Sequence, residues 1–157
     1  MTLGNAATDF SGLDDAEAFP SDFPVGKHLI KVQKNDVYTI KGDTHMAVYG
    51  EVVQTDNPGE VKVGSVYKAK ISYLVSRQYP DGQKGMKILR TYLAAALGVS
   101  PDGPPPQDVA KTWGALANTV INEDPKAMEG DMVLVVATEG KNPKYCDYAF
   151  LPAPDQG

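Results

Sequence analysis

The chain has 157 residues, of which 42% are hydrophobic, and a net charge of −5. A chain of this length can bury a hydrophobic core as one domain without disulfides or a structural metal. Its single cysteine, Cys146, cannot form an internal disulfide, and the sequence has no Cys/His zinc pattern. Both features favour a reducing, cytoplasmic compartment. No apolar run reaches the roughly 18 residues of a membrane helix, and the N-terminus lacks the pattern of a secretory signal, so we expect no membrane span and no export.

Charge is distributed unevenly along the chain. Residues 1–24 hold five acidic and no basic side chains, residues 25–97 hold eleven basic and six acidic ones, and residues 98–157 hold four basic and nine acidic ones. The local charges are therefore −5, +5 and −5 in that order. A basic segment between acidic ends suits an anionic polymer as ligand, and an ordinary solvated surface is the alternative interpretation.

Composition divides the chain into an arm, a domain and a tail. Residues 1–24 are rich in Asp, Ala, Gly and Ser and predict an acidic, partly ordered arm, with a helical turn at 14–18 and its phenylalanines against the body. We expect the folded domain to span 25–152 and a short C-terminal tail to occupy 153–157.

Apolar and polar residues alternate between Gly26 and Val75, which is typical of strands that bury one face. Three strands are predicted, from 26 to about 40, from 44 to 54 and from 65 to 76. Turn formers separate them at Lys41-Gly42-Asp43 and at Asp56-Asn57-Pro58-Gly59. Gly50 predicts a bulge or a bend within the second strand.

The alternation assigns each side chain to one of two faces. The face predicted to be buried carries His28, Ile30, Val32, Met46, Val48, Val52, Tyr67, Ala69, Ile71, Tyr73 and Val75. The opposite face carries Lys31, Tyr49, Lys68 and Lys70. We interpret His28 as a core histidine with satisfied hydrogen bonds, and Tyr67 and Tyr73 as core residues.

The period changes after Gly85 from two to that of an amphipathic helix. A helix is predicted over about 86–97, capped by Gly98. Prolines make 100–107 a stiff connection, after which Asp108 is predicted to cap a second short helix. The apolar stripe of that helix would be Val109, Trp113, Leu116 and Val120. Two final strands are predicted over 132–138 and 145–151.

The order of these elements indicates a mainly β fold. Three strands, a helix and a final two-stranded hairpin predict a five-stranded OB-fold-like barrel with the helix between the third and fourth strands. OB-folds contact ligands through strands two and three and the adjoining loops, which here would present Tyr49, Lys68 and Lys70.

Four stretches, at 23–32, 38–42, 46–53 and 64–68, are followed by a helix ending at Leu97-Gly98 and a strand led by Gly130. In this order they resemble the phage OB-fold single-stranded DNA-binding proteins that are encoded beside phage recombination genes. The resemblance covers about 23–151 and consists of spaced glycines and apolar positions. It implies sequence-independent binding of single-stranded DNA in phage replication or recombination, in the host cytoplasm, with phage or host replication or recombination proteins as partners. Such proteins often end in an acidic tail, whereas this chain ends Pro154-Asp155-Gln156-Gly157.

The candidate binding residues are cations for phosphates and aromatic faces for bases. The predicted set is Lys31, Lys34, Tyr49, Lys68, Lys70, Arg77, Tyr79, Lys84 and Lys87. For any one lysine, simple solvation is an equally good interpretation, and the cluster is more informative than its members.

Two other classes of function compete with this interpretation. Asp56, Glu60 and Lys62 echo the carboxylates and lysine of restriction-type nucleases, although the two carboxylates flank a single turn rather than lying on adjacent strands. A virion structural or adaptor protein is the other alternative, with the Trp113 stripe as its contact surface. We expect no catalytic activity, no metal and no cofactor, and the oligomeric state stays open.

Overall fold

Five antiparallel strands form one sheet in the computed structural model, which describes residues 20–75, 84–142 and 144–154. The strands are β1 (Gly26–Ile40), β2 (Asp43–Thr55), β3 (Val66–Val75), β4 (Met132–Glu139) and β5 (Cys146–Pro152). Their order in the sheet is β3-β2-β1-β4-β5. This confirms the predicted mainly β, five-stranded antiparallel architecture. In the described residues β3 and β5 are not paired with each other, so the closed barrel stays a prediction.

The pairing of β1 with β2 shifts its register twice, between Leu29 and Ile30 and again between Val32 and Lys34. The second shift lies at Gly50, which pairs with Val32. A Cβ atom at Gly50 would lie 2.5 Å from Cδ1 and 2.9 Å from Cβ of Ile30, so only glycine allows this approach. The irregularity predicted at Gly50 is therefore present as a register shift, but the extra residue lies in the facing strand β1 rather than in β2.

The predicted burial of Tyr73 and Val75 is wrong. Between Thr44 and Met46 the partners on β3 jump from Val75 to Ile71, so β3 carries extra residues there. Tyr73 has φ of 57° and donates its backbone N–H to Nδ1 of His45 at 3.0 Å. The inward position passes to Leu74, while Tyr73 and Val75 are 41% and 56% exposed. Strict alternation cannot anticipate such a bulge, because the extra residues and the positive φ of Tyr73 interrupt the period of two on which it depends.

Helix α1 (Lys84–Leu97) lies between β3 and β4 in chain order. It buries Leu89, Tyr92 and Leu93 against the core side of the sheet. The hydroxyl of Tyr92 donates to Oδ1 of Asn35 on β1 at 2.7 Å, and burial raises the pKa of Tyr92, so the phenol stays neutral. Gly98, with φ of 69°, ends the helix as predicted.

A short helix α2 (Trp113–Asn118) continues into a π-helical turn (Thr119–Glu123). The predicted cap at Asp108 is wrong, since Oγ1 of Thr112 accepts the N–H of Ala115 at 3.0 Å and caps the helix instead. Val109 is 47% exposed and lies outside the packed stripe. Trp113 packs partly against the core and donates its indole N–H to the carbonyl of Gly103 at 2.8 Å.

The segment before β1 bridges both edges of the sheet. Phe23 donates its N–H to the carbonyl of Lys68 on β3 at 3.0 Å, and its own carbonyl accepts the hydroxyl of Tyr148 on β5 at 2.7 Å. Phe23 is 1% exposed and stacks on His28. His28 is fully buried, with its two ring nitrogens 2.8 Å from Oγ1 of Thr55 and 2.9 Å from the carbonyl of Pro24. The interpretation of His28 as a satisfied core histidine is confirmed.

Candidate functional site

The strand residues predicted to bind share the outer face of β1, β2 and β3. Cross-strand pairing places Lys34 beside Tyr49 and Tyr49 beside Lys68, while Lys70 pairs with Ala47 in the neighbouring row. Paired residues point to the same side of a sheet. We define the tyrosine–lysine face as Lys31, Lys34, Tyr38, Tyr49, Lys68 and Lys70.

Tyr49 is the centre of this face. It is half-buried, and the Nζ of Lys34 lies 4.9 Å from its ring centroid. Lys34 also forms an ion pair with Asp36, with Nζ and Oδ2 3.4 Å apart, although both side chains are close to half exposed. Such an exposed pair holds its lysine weakly, so Lys34 can exchange Asp36 for another anion.

A second group of aromatic side chains follows at the end of the face nearer the β1–β2 turn. Tyr38 stacks on His45 with ring centroids 5.5 Å apart, and Tyr73 meets His45 edge-on at 4.8 Å. Burial raises the pKa of Tyr38, the Lys70 charge lowers it and the Asp22 charge raises it. The spacing of Tyr38 from Lys34 and Asp36 could have indicated its face. Tyr73 was missed because its bulge is not visible in the alternation.

Lys68 and Lys70 share one acidic partner, Asp22. Oδ2 of Asp22 lies 3.1 Å from Nζ of Lys70, and Oδ1 lies 3.8 Å from Nζ of Lys68. Lys70 also lies over the ring of Tyr145, in the loop between β4 and β5, with Nζ 5.8 Å from the centroid. The lysine pair is therefore partly neutralised within the fold. Sequence reasoning missed this contact because it treated Asp22 as part of the arm.

The other predicted cations are arranged less favourably. Lys31 lies opposite Glu51 in the β1–β2 pairing, and it lines a shallow cleft of about 510 Å³ together with Glu51 and Glu129. The two carboxylates would therefore compete with a phosphate for Lys31. Lys84 and Lys87 are exposed on α1. Arg77 and Tyr79 lie outside the described residues.

The start of α1 lies beside the bulge of β3. A Cβ atom on Gly85 would lie 2.4 Å from the carbonyl oxygen of Tyr73 and 2.6 Å from that of Ser72, so the two backbones are in direct contact. Lys84 therefore lies at the same end of the molecule as the Tyr38, His45 and Tyr73 rings, whereas Lys87 follows one turn later along the helix.

The residues that resemble a nuclease site hold the turn after β2. Oδ1 of Asp56 accepts a hydrogen bond from the backbone N–H of Lys27 at 2.8 Å, and Oε2 of Glu60 accepts one from Nδ2 of Asn57 at 3.0 Å. Each carboxylate thus has a structural partner. Among the described residues no group of three or more His, Cys, Asp or Glu side chains is arranged to hold a metal ion.

Cys146 begins β5 and packs partly against the core. Burial raises the pKa of its thiol, and the carboxylates of Asp22, Asp147, Glu139 and Glu60 raise it further. The thiol form is favoured, so Cys146 lacks the lowered pKa of a reactive thiolate.

Neither a protein-family model nor a curated protein matches this sequence. Within the described ranges, no helix combines the length and the apolar character that crossing a membrane requires.

Proposed function

We propose that the protein binds single-stranded DNA with little sequence preference through the tyrosine–lysine face. The observation that carries the proposal is the row Lys34, Tyr49 and Lys68, in which an aromatic ring lies between two cations on adjacent strands. A single strand offers unstacked bases and a chain of phosphates. Aromatic side chains stack on the bases, and cations bind along the phosphates.

The contacts available on this face are general rather than base-specific. Every base has a π face, so stacking on Tyr49 or Tyr38 does not distinguish sequences, and lysine charges recognise only phosphate. A base that stacks on Tyr49 takes the place of Lys34, whose Nζ now lies 4.9 Å from the ring centroid. The displaced ammonium then becomes available to a phosphate of the same strand.

We further propose that the open sheet is an OB-fold barrel whose gap between β3 and β5 is spanned by the segment before β1. Two features support this assignment. The N–H of Phe23 donates to the carbonyl of Lys68 on β3, and the carbonyl of Phe23 accepts the hydroxyl of Tyr148 on β5. The loop between β4 and β5 brings Tyr145 to Lys70, and OB-folds use that loop together with strands two and three for oligonucleotides.

The biological setting that we propose is phage DNA replication or recombination, in the host cytoplasm, without catalytic activity. It follows from the resemblance of 23–151 to the phage single-stranded DNA-binding proteins. The acidic residues of 1–24 are candidates for recruiting replication or recombination proteins, because runs of like charge often serve as interaction segments.

Fluorescence anisotropy with a labelled oligothymidylate tests the proposal. At low salt we expect saturable binding, similar affinity for a mixed-sequence strand, and weaker binding of the matching duplex. The slope of log Kobs against log salt should be about −0.7 for each phosphate contacted. No binding at low salt would contradict the proposal.

The same oligonucleotide, incubated with Mg²⁺ and separated on a denaturing gel, tests the alternatives. Intact strands are expected for a binding protein, whereas Mg²⁺-dependent shortening would favour the nuclease interpretation. A protein that neither binds nor cleaves would instead fit a structural or adaptor role.

A further inference from the structure

We infer that Asp22 is an internal competitor of the ligand: its carboxylate occupies the anion position between Lys68 and Lys70 and so limits the affinity of the face. The inference rests on the proposed function, because it assigns the regulation of the same site. Oδ2 of Asp22 lies 3.1 Å from Nζ of Lys70, and Oδ1 of Asp22 lies 3.8 Å from Nζ of Lys68. A phosphate would need these two ammonium groups.

The backbone, rather than the ion pair, holds Asp22 there. On one side of it the carbonyl of Ser21 accepts the N–H of Lys68 at 2.9 Å, and on the other side the N–H of Phe23 donates to the carbonyl of Lys68 at 3.0 Å. The Phe23 ring is buried and stacks on His28 and Tyr67. Asp22 is therefore anchored at both neighbours, and its charge cannot diffuse away from the lysines as a free anion would.

The carboxylate is imperfectly bonded in this position. Its Oδ1 is shielded from solvent, and no hydrogen-bond partner reaches it within the described part of the chain. The lysine side chains keep 27% and 30% of their surface exposed for Lys68 and Lys70. An anion that arrives from solvent can therefore reach both ammonium groups, but it does so against the repulsion of a fixed negative charge.

Substitution of Asp22→Asn removes that charge with almost no change in shape. We expect the variant to bind the labelled oligothymidylate about threefold to tenfold more tightly at low salt, which corresponds to the energy of one exposed to half-buried charge interaction. The salt slope should become steeper by roughly 0.7 for each additional phosphate contact that Lys68 or Lys70 makes.

Two control variants separate this effect from a general change in charge or packing. Asp102→Asn changes the net charge equally, in an exposed turn outside the tyrosine–lysine face, and should leave affinity and slope nearly unchanged. Asp22→Glu keeps the charge on a longer side chain and should remain closer to wild type than Asp22→Asn. Circular dichroism and urea unfolding establish that all three variants fold.

The outcomes distinguish the inference from the proposed function. If wild type binds and Asp22→Asn behaves like Asp102→Asn, the inference is wrong and the proposed function stands. If Asp22→Asn binds more weakly, Asp22 positions the lysines instead of competing with the strand, which also overturns the inference. If Asp22→Asn binds and the wild type does not, the inference is supported, with the Asp22 carboxylate blocking the lysines completely. If neither the wild type nor any variant binds at low salt, both proposals are overturned.

Discussion

Tyr49 is the residue on which base stacking is proposed to depend. Replacement of Tyr49 by Ala should weaken oligonucleotide binding by about 1–3 kcal/mol, the value of one stacked base. Tyr49→Phe keeps the ring and should bind nearly as wild type does. Anisotropy titrations of the two variants measure the difference.

The salt dependence of Tyr49→Ala shows whether the ring itself is responsible. Stacking releases no counterions, so the slope of log Kobs against log salt should stay close to that of wild type. A marked fall in the slope would mean that the substitution acts through Lys34, whose Nζ lies over the ring. Unchanged affinity would exclude Tyr49 from the ligand contact.

Single residues also show what local pattern can and cannot predict. His28 was assigned to the core because its neighbours on the same face, Ile30 and Val32, are apolar. The structure confirms the assignment, since all three side chains are buried. Tyr73 was assigned wrongly, because its position depends on the ring of His45, 28 residues earlier in the chain. A contact of that kind leaves no mark in the alternation around Tyr73.

At the scale of elements, the contact between α1 and the bulge of β3 requires glycine at position 85. The Cβ of Gly85→Ala would fall 2.4 Å and 2.6 Å from backbone oxygens of β3, which cannot move as a side chain can. We expect the free energy of unfolding to fall by about 1–3 kcal/mol or more, as for other overpacked sites. Urea unfolding measures it.

Gly114→Ala is the matched control, since Gly114 is the second residue of α2 as Gly85 is of α1. At Gly114 the nearest atom to an added Cβ is 3.9 Å away. Alanine is favoured over glycine in helices, so this substitution should be neutral or stabilise by up to about 1 kcal/mol. Equal effects at the two sites would show that α1 does not pack against the bulge as described.

The bond between Tyr92 and Asn35 joins α1 to β1 inside the core. Tyr92→Phe removes the donor to the buried Oδ1 of Asn35, 2.7 Å away, and should cost about 1–3 kcal/mol of stability. Tyr67→Phe is the comparison, since its hydroxyl makes only bonds of 3.3 and 3.4 Å at an exposed site, and it should cost less. Oligonucleotide binding by folded Tyr92→Phe should be unchanged.

The elements themselves were largely predictable from the sequence, and their details were not. The turn at Lys41-Gly42 follows from Gly42, which readily adopts its positive φ of 84°, whereas Lys41 takes a φ of 51° that lysine seldom adopts. The start of α2 was misplaced because Asp108 and Thr112 are both suitable caps, and local sequence does not choose between them. Trp113, the first residue of α2, packs partly against the core and donates its indole N–H to the carbonyl of Gly103, and tertiary contacts of this kind are not visible in the local sequence.

At the scale of the whole molecule, the charge distribution gave only part of the site. Alternation within the basic segment 25–97 placed Lys68 and Lys70 on one face with Tyr49, as the strand pairing shows, whereas Lys34 reaches that face through the register shift between Val32 and Lys34, which alternation did not predict. The charge distribution could not predict that Asp22, from the acidic segment, lies between two of these lysines, because that contact spans more than forty residues of sequence. Net charge by segment therefore overstates the positive charge of the face.

The location of the ligand on the molecule can be decided by two pairs of lysines. Lys68→Ala with Lys70→Ala removes the cations of the sheet, and Lys84→Ala with Lys87→Ala removes those of α1. If the strand lies on the tyrosine–lysine face, the first pair should lower the salt slope more than the second. The reduction should stay below about 1.4, the value for two phosphate contacts, because Asp22 already compensates part of the charge.

The sheet double variant also leaves Asp22 without its cations, which adds repulsion to the loss of attraction. Addition of Asp22→Asn to it should therefore recover part of the affinity without restoring the salt slope, because repulsion is relieved while no phosphate contact returns. Folding of each variant is checked by circular dichroism. A slope that falls only when Lys84 and Lys87 are replaced would move the ligand to α1 and the residues before it, and would contradict binding on the sheet.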